Sequence, residues 1–174
     1  HQGLVDTHTL DLYRHLFETA QSRLFIVNTF PLLFELQRAL LGALERGVAV
    51  RLLVGNVRPL FGERQPFPGG VMRELATQVI HGRLDTLAQA GAEVWEFGLE
   101  ALPGWDPRLG RVLPHVHAKL VCVDGARFTL GSANLDVTSA YWESEVLALV
   151  EHAPSAEALE RELEALLMSS VRVN

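Results

Sequence analysis

The chain has 174 residues, of which 48% are hydrophobic and 21% charged, a composition that indicates a packed globular protein and excludes a disordered or fibrous one. We expect a single domain over residues 1–174. The formal net charge of -6 argues against binding nucleic acid by bulk electrostatic attraction, although a local basic patch remains open. The only cysteine, Cys122, excludes an intramolecular disulfide.

The sequence carries no sign of membrane targeting. No apolar stretch reaches the roughly 20 residues that span a bilayer. The start at His1 has neither an initiator Met nor a signal-peptide pattern. We therefore expect the chain to be a processed or excised piece of a longer protein.

The first half of the chain alternates helical and strand patterns. Apolar residues at helical spacing over 12–20 precede an apolar run over 24–27, and the same pair of patterns recurs over 33–44 and 48–54. A third pair follows. Its helix covers 71–87 and its strand 92–97, with loops rich in Gly and Pro over 55–70 and about 98–114.

The second half adds an antiparallel hairpin. Strands over 118–123 and 127–130 flank Asp124-Gly125, a pair typical of a two-residue hairpin turn. A further strand is predicted over 145–150 and an amphipathic helix over 159–167. Alternating helices and strands predict an α/β layered domain, and the hairpin makes its sheet mixed.

Four polar residues have the spacing of a phosphate site. His117 and Lys119 are two apart on a predicted strand, so we expect an imidazole nucleophile and a cation on one face. A neutral imidazole can attack phosphorus while Lys119 offsets the charge on the non-bridging oxygens. The Ser132 hydroxyl and the Asn134 amide can donate hydrogen bonds to the same oxygens, and Gly131 permits a close backbone approach.

Two carboxylates complete the predicted site. Asp124 can hold the hairpin turn and its neighbours, so we count it with the catalytic group in a supporting role. Glu145 enters from the next predicted strand. We expect it to accept a hydrogen bond from the second nitrogen of the His117 imidazole, fixing the tautomer as the acid does in a Ser-His-Asp triad.

These residues resemble the phospholipase D superfamily. The run from His117 to Asn134 matches its His-x-Lys-x4-Asp-x6-Gly-Ser-x-Asn motif, the HKD motif, without gaps. The continuation through Ser139 and Glu145 is similar to the second, C-terminal repeat of bacterial cardiolipin synthases. The stretches 25–31, 43–50 and 90–94 also resemble that repeat.

The resemblance implies a phospholipase D-like layered fold, with a mixed β-sheet flanked by helices on both faces and one HKD repeat. It implies phosphodiester hydrolysis or phosphatidyl transfer through a phosphohistidine, without metal or cofactor. The expected substrate is a phospholipid. The expected setting is bacterial, on a membrane surface without a spanning segment.

The resemblance also implies that two HKD motifs build one site, with one histidine as nucleophile and the other as acid and base. Of the 15 basic residues, Lys119 is the only lysine, so the chain contains no second His-x-Lys. Either an N-terminal repeat or a second copy of the chain must supply the partner motif. The likeness to a second repeat favours the N-terminal repeat, with His117 as the acid and base.

Other readings remain open. The same chemistry fits a metal-independent nuclease acting as a dimer, for which a basic cleft is expected, and an inactive repeat fits a scaffolding role. His115 and His117 resemble zinc ligands on one strand face but lack companions with metal-site spacing. Glu143 and the opening Asn28-Thr29-Phe30 differ from the usual cardiolipin synthase residues and leave lipid specificity open. Apolar loop residues, which either contact lipid or pack on their own domain, are Phe61, Phe67, Leu102 and Trp105.

Overall fold

The structure, a computed structural model, describes residues 7–28, 32–55, 70–97 and 116–173. The predicted loops over 55–70 and 98–114 lie almost entirely outside the described residues, as do Phe61, Phe67, Leu102 and Trp105. Within the described residues, the elements in chain order are α1 (His8–Thr19), β1 (Arg23–Asn28), α2 (Phe34–Glu45), β2 (Ala49–Val54), α3 (Gly70–Gln89), β3 (Glu93–Phe97), β4 (Leu120–Val123), β5 (Arg127–Gly131), α4 (Val137–Tyr141), β6 (Leu147–Glu151), α5 (Ala153–Leu167) and β7 (Ser170–Val173).

The strands form a seven-stranded sheet in the order β6-β5-β4-β1-β2-β3-β7. β1 pairs parallel with β2, and β2 parallel with β3, as the alternating helices require. The β4–β5 hairpin, β6 and β7 all add antiparallel pairs. The mixed sheet predicted from the sequence is therefore confirmed.

Helices cover both faces of the sheet, as predicted. In β1, Ile26 packs with the core beneath α1, α2 and α3, whereas Phe25 and Val27 pack with α5 on the opposite face. Because β1 is central and buried on both sides, it reads as a continuous apolar run. Burying each such large side chain contributes roughly 1.5–3 kcal/mol to folding.

One edge of the sheet gathers several strand ends. Val27, near the end of β1, lies opposite Leu120 at the start of β4. Leu120 in turn lies opposite Leu130 near the end of β5, and Gly131 lies opposite Leu147 at the start of β6. The segments just before β4, just after β5 and just before β6 therefore emerge together. We call this edge the motif edge.

Some element boundaries differ from the prediction. β4 begins at Leu120, so His117 and Lys119 lie in the segment leading into the strand and not in its paired part. β6 begins at Leu147, so Glu145 also precedes its strand. The helix α4 and the strand β7 were not predicted. Helix α4 has five residues, too few to show a helical period.

Candidate active site

The segment after β5 lies very close to the start of β6. A Cβ atom on Gly131 would lie 2.0 Å from the backbone oxygen of Val146, so only glycine fits here. Beyond this contact, the Ser132 N–H donates to the Val146 oxygen at 2.9 Å, and the Val146 N–H donates to the Ser132 hydroxyl at 3.1 Å. Backbone contacts thus hold Ser132 beside Glu145, the residue preceding Val146.

Glu145 joins two serine hydroxyls. Its Oε2 accepts a hydrogen bond from the Ser132 hydroxyl, and its Oε1 accepts one from the Ser139 hydroxyl at 2.8 Å. The sequence also predicted that this carboxylate orients the His117 imidazole, and that role stays a prediction. The recorded contacts of Glu145 place it as a bridge between the segment after β5 and the helix α4.

The backbone around Asn134 is held from three other parts of the chain. The Tyr13 hydroxyl on α1 donates to the Ala133 oxygen at 2.9 Å, and the Asn134 N–H donates to the Ser139 hydroxyl at 3.0 Å. Next along the chain, the Leu135 N–H donates to the Asn28 side-chain oxygen at 3.4 Å. These contacts hold the main chain from Ala133 to Leu135, and with it the backbone of Asn134.

Lys119 is buried at this edge, with 6% of the residue exposed. Its ammonium donates to the backbone oxygen of His117 at 2.8 Å, so the only lysine also holds the main chain of the predicted catalytic histidine. Burial lowers the pKa of Lys119, and the charges of Glu145 and Asp136 partly oppose that change. An ammonium has three donors, so two remain for other acceptors.

Tyr13 is fully buried beneath the same segment. Burial raises its pKa, and the nearby Glu145 carboxylate raises it further, despite an opposing contribution from Thr129. The phenol therefore stays protonated and able to donate to Ala133.

Asp124, the last of the HKD residues, lies elsewhere. It occupies the hairpin turn at the far end of β4, roughly 17 Å from Lys119 if each residue advances about 3.4 Å. Its carboxylate accepts hydrogen bonds from the N–H groups of residues 21–23 and from the Ser22 hydroxyl. Burial alone would raise the pKa of Asp124, but the hydrogen bonds from Arg23, Ser22 and Gln21 lower it below its usual value.

The sequence-predicted residues therefore divide into two groups. His117, Lys119, Ser132, Asn134 and Glu145 come to the motif edge, with the His117 side chain exposed and Lys119 buried behind it. Asp124 lies at the hairpin turn, where the sequence analysis placed it in a supporting role, and its contacts hold residues 21–23.

Sequence reasoning missed Tyr13 and gave no role to Ser139. No local signal marks Tyr13, whose contact with Ala133 spans 120 positions of the chain. Ser139 follows Asp136, a helix N-cap residue that accepts from the Thr138 and Ser139 N–H groups, and this capping pattern is readable in the sequence.

Among the described residues, no three side chains of His, Cys, Asp or Glu come together as a metal site. His115 lies outside the described residues, so its predicted pairing with His117 is not visible. Within the same described ranges, no helix is both long enough and apolar enough to cross a bilayer.

The sheet order and helix arrangement are those of an α/β domain, and a family model places this domain in the phospholipase D superfamily. A family model described as "Cardiolipin synthase, PLD-like domain" matches residues 13–167, and the chain belongs to that family. Members of the superfamily are phosphodiesterases or phosphatidyltransferases. A comparison with curated proteins gives no match.

Solved structures share the fold. Nuc from Salmonella typhimurium, a phospholipase D family member, is 16% identical with a TM-score of 0.71, over 95% of this chain and 90% of that one. NucT from Helicobacter pylori is 17% identical with a TM-score of 0.72, over 95% and 91%. Phosphatidylserine synthase from Haemophilus influenzae Rd KW20 is 19% identical with a TM-score of 0.71, over 95% of this chain but 37% of that one.

Proposed function

We propose that this domain cleaves phosphodiesters, or transfers a phosphatidyl group, through a phosphohistidine intermediate. The observation that carries the proposal is the meeting of His117, Lys119, Ser132, Asn134 and Glu145 at the motif edge, with only Asp124 elsewhere. An imidazole, a buried cation and an amide side chain on a held main chain supply the nucleophile and the donors that attack on phosphorus uses.

The chemistry needs two histidines. A nitrogen of one neutral imidazole attacks phosphorus, and the phosphorus–oxygen bond to the leaving alcohol breaks as the nitrogen–phosphorus bond forms. The second histidine gives its proton to the leaving oxygen. It then takes a proton from water or from an acceptor alcohol, whose oxygen attacks phosphorus and releases the first histidine.

Within this scheme, Lys119 and Asn134 are the proposed phosphate contacts. Lys119 retains donors beyond its bond to His117, and its charge offsets that of the non-bridging oxygens. Ser132 was predicted to share this role. A hydroxyl has one proton, and Ser132 gives it to Glu145, so this serine would have to exchange that bond to reach a phosphate.

The second histidine must come from a partner motif. Because Lys119 is the only lysine, no other His-x-Lys exists in these residues. The chain spans most of Nuc and NucT but about a third of phosphatidylserine synthase. Both arrangements therefore remain in the proposal: a second copy of the chain, or an N-terminal HKD repeat.

The proposed substrate is a phospholipid, met at a membrane surface by peripheral association. The family model bears a cardiolipin synthase description, which supports a lipid phosphodiester. The net charge of -6 gives no bulk attraction to a nucleic acid backbone.

The test is a diesterase assay in EDTA-treated buffer, with phosphatidylglycerol vesicles and single-stranded DNA as parallel substrates. The protein is assayed with the complementary motif present, alone as a dimer or with an N-terminal repeat. We expect lipid turnover that falls at least about a thousandfold in His117→Ala, because the histidine takes part in bond making.

The control is His15→Ala, an exposed histidine on α1, which we expect to leave the rate unchanged. Turnover of DNA alone would replace the lipid assignment by a nuclease. No turnover of either substrate would favour a scaffolding repeat, and full activity of His117→Ala would reject the mechanism.

A further inference from the structure

Ser139 on α4 is a buried hydroxyl that does not take part in the proposed chemistry. The residue is 3% exposed. Its hydroxyl donates to Glu145 Oε1 at 2.8 Å and accepts from the Asn134 N–H at 3.0 Å. It therefore connects the carboxylate to the main chain of a proposed phosphate contact.

The Glu145 carboxylate consequently acts on both ends of the short segment 132–134. Oε2 accepts directly from the Ser132 hydroxyl, and Oε1 reaches the Asn134 backbone through Ser139. A serine hydroxyl has one proton, so donation to the carboxylate leaves the Ser139 oxygen as the acceptor for Asn134. Hydrogen bonds to a charged group are stronger than neutral ones, which favours this arrangement.

The helix α4 is built to present this hydroxyl. Asp136 caps it by accepting from the Thr138 N–H at 3.0 Å and the Ser139 N–H at 2.9 Å. The Thr138 hydroxyl also donates to Asp136, at 2.9 Å. Two adjacent hydroxyls on one turn thus have different tasks, since Thr138 completes the cap and Ser139 reaches the motif edge.

We propose that Ser139 is a positioning residue for the phosphodiester reaction. It holds the main chain of Asn134 and the carboxylate of Glu145 in register, so that the Asn134 side chain meets the phosphate oxygens as charge builds on them. This inference rests on the proposed function. Misplacing a contact group by about 1 Å can cost on the order of a hundredfold in rate.

The experiment compares Ser139→Ala with Thr138→Ala, which removes the neighbouring hydroxyl from the same helix. Both are assayed by steady-state kinetics with the partner motif present, well below the unfolding temperature. We expect Ser139→Ala to lower kcat about 10- to 100-fold with little change in KM, because the lost contact matters most in the transition state. We expect Thr138→Ala to stay within about threefold of the parent in both constants.

A second measurement reads the hydrogen bond itself. In a ¹⁵N-labelled sample, the Asn134 amide signal should shift and its hydrogen exchange should accelerate in Ser139→Ala, and neither should change in Thr138→Ala. An unchanged kcat in Ser139→Ala, or an equal loss in Thr138→Ala, overturns the positioning role. Activity in His117→Ala overturns the proposed function itself, so the two failures are distinguishable.

Discussion

The two ends of β4 carry residues of one motif but do different work. At the start of the strand, Lys119 is buried, donates to the main chain of the exposed His117 and feels the charges of Glu145 and Asp136. At the other end, Asp124 has φ 56 and Gly125 has φ 65, the left-handed conformations of a tight hairpin. The strand separates a chemical end from a structural end.

Residues of one sequence motif, such as Lys119 and Asp124, therefore need not lie close together in the structure. The Asp124 carboxylate ties the hairpin to the junction between α1 and β1. This junction fixes the start of β1, whose pairing with β4 brings both strands into register. Asp124 therefore supports the site through the sheet and not by contact.

After the loss of His117, a charge placed at the motif edge gives the largest expected effect. Val146 is 74% exposed and directly follows Glu145, and Leu130 on the neighbouring strand is also exposed. We expect the partner motif, from a second copy of the chain or from an N-terminal repeat, to cover this apolar corner, because the site needs a second HKD motif nearby. In the arrangement with a second copy, Val146→Asp should abolish dimers and lower activity about a hundredfold or more, since a buried unpaired charge is costly.

The matched control lies on β7, the outermost strand on the other side of the sheet from β6. Val171 on β7 is 64% exposed, and Val171→Asp introduces the same charge at a similar solvent-facing valine. We expect Val171→Asp to keep the parent's mass and activity. Analytical ultracentrifugation with a parallel diesterase assay measures both, and a Val146→Asp protein that remains dimeric and active contradicts the assignment.

Removing the carboxylate at the structural end should reduce stability and spare chemistry. Asp124→Ala leaves the N–H groups of residues 21–23 without their acceptor, so we expect a loss of about 1–3 kcal/mol in the free energy of unfolding, limited by solvent access. The kcat per folded molecule should stay near that of the parent. Urea unfolding and kinetics at low temperature give the two quantities.

The pH dependence of stability sharpens the same prediction. Hydrogen bonds lower the folded-state pKa of Asp124 below its unfolded value. Its stabilising contribution is therefore present above the usual carboxyl pKa and is lost as pH falls through the lowered one. Asp124→Asn should flatten this acid dependence, and an undiminished dependence would argue against the role of the carboxylate.

The smallest expected effect concerns the charge of Lys119. Burial lowers the pKa of Lys119, so the ammonium loses its proton at a lower pH than an ordinary lysine does. Activity that needs the ammonium should therefore begin to decline at that lower pH. Glu145→Gln removes a charge that raises this pKa, so the basic limb of the kcat/KM profile should move to lower pH. Glu143→Gln alters an exposed neighbour and should leave the limb in place.

Much of the fold was predictable because apolar periodicity records which faces are buried. The strands β1, β2 and β3 and the helices between them follow that signal. The helix α4 was not predicted, because five residues form little more than one helical turn. Strand order escaped as well, since pairing depends on contacts far apart in the chain, such as β3 with β7.

The sequence predicted which residues gather at the site but not which hydrogen bonds join them. Motif spacing named His117, Lys119, Ser132 and Asn134, and strand pairing brings these residues to one edge. The partners of Glu145 depended on where α4 places Ser139, which the sequence did not reveal. The position of Asp124 was predicted, because Asp124-Gly125 marks the hairpin turn at the far end of β4.

Gly131 sets the register between β5 and β6. Because glycine has no side chain, the backbone of Val146 can lie against Gly131, and any larger residue would clash there. Gly131 pairs with Leu147, the first residue of the edge strand β6. A slip of one residue would move Glu145 by about 3.4 Å and turn alternate side chains to the wrong face. The position of the Glu145 carboxylate thus depends on the absence of a side chain at Gly131 on the neighbouring strand.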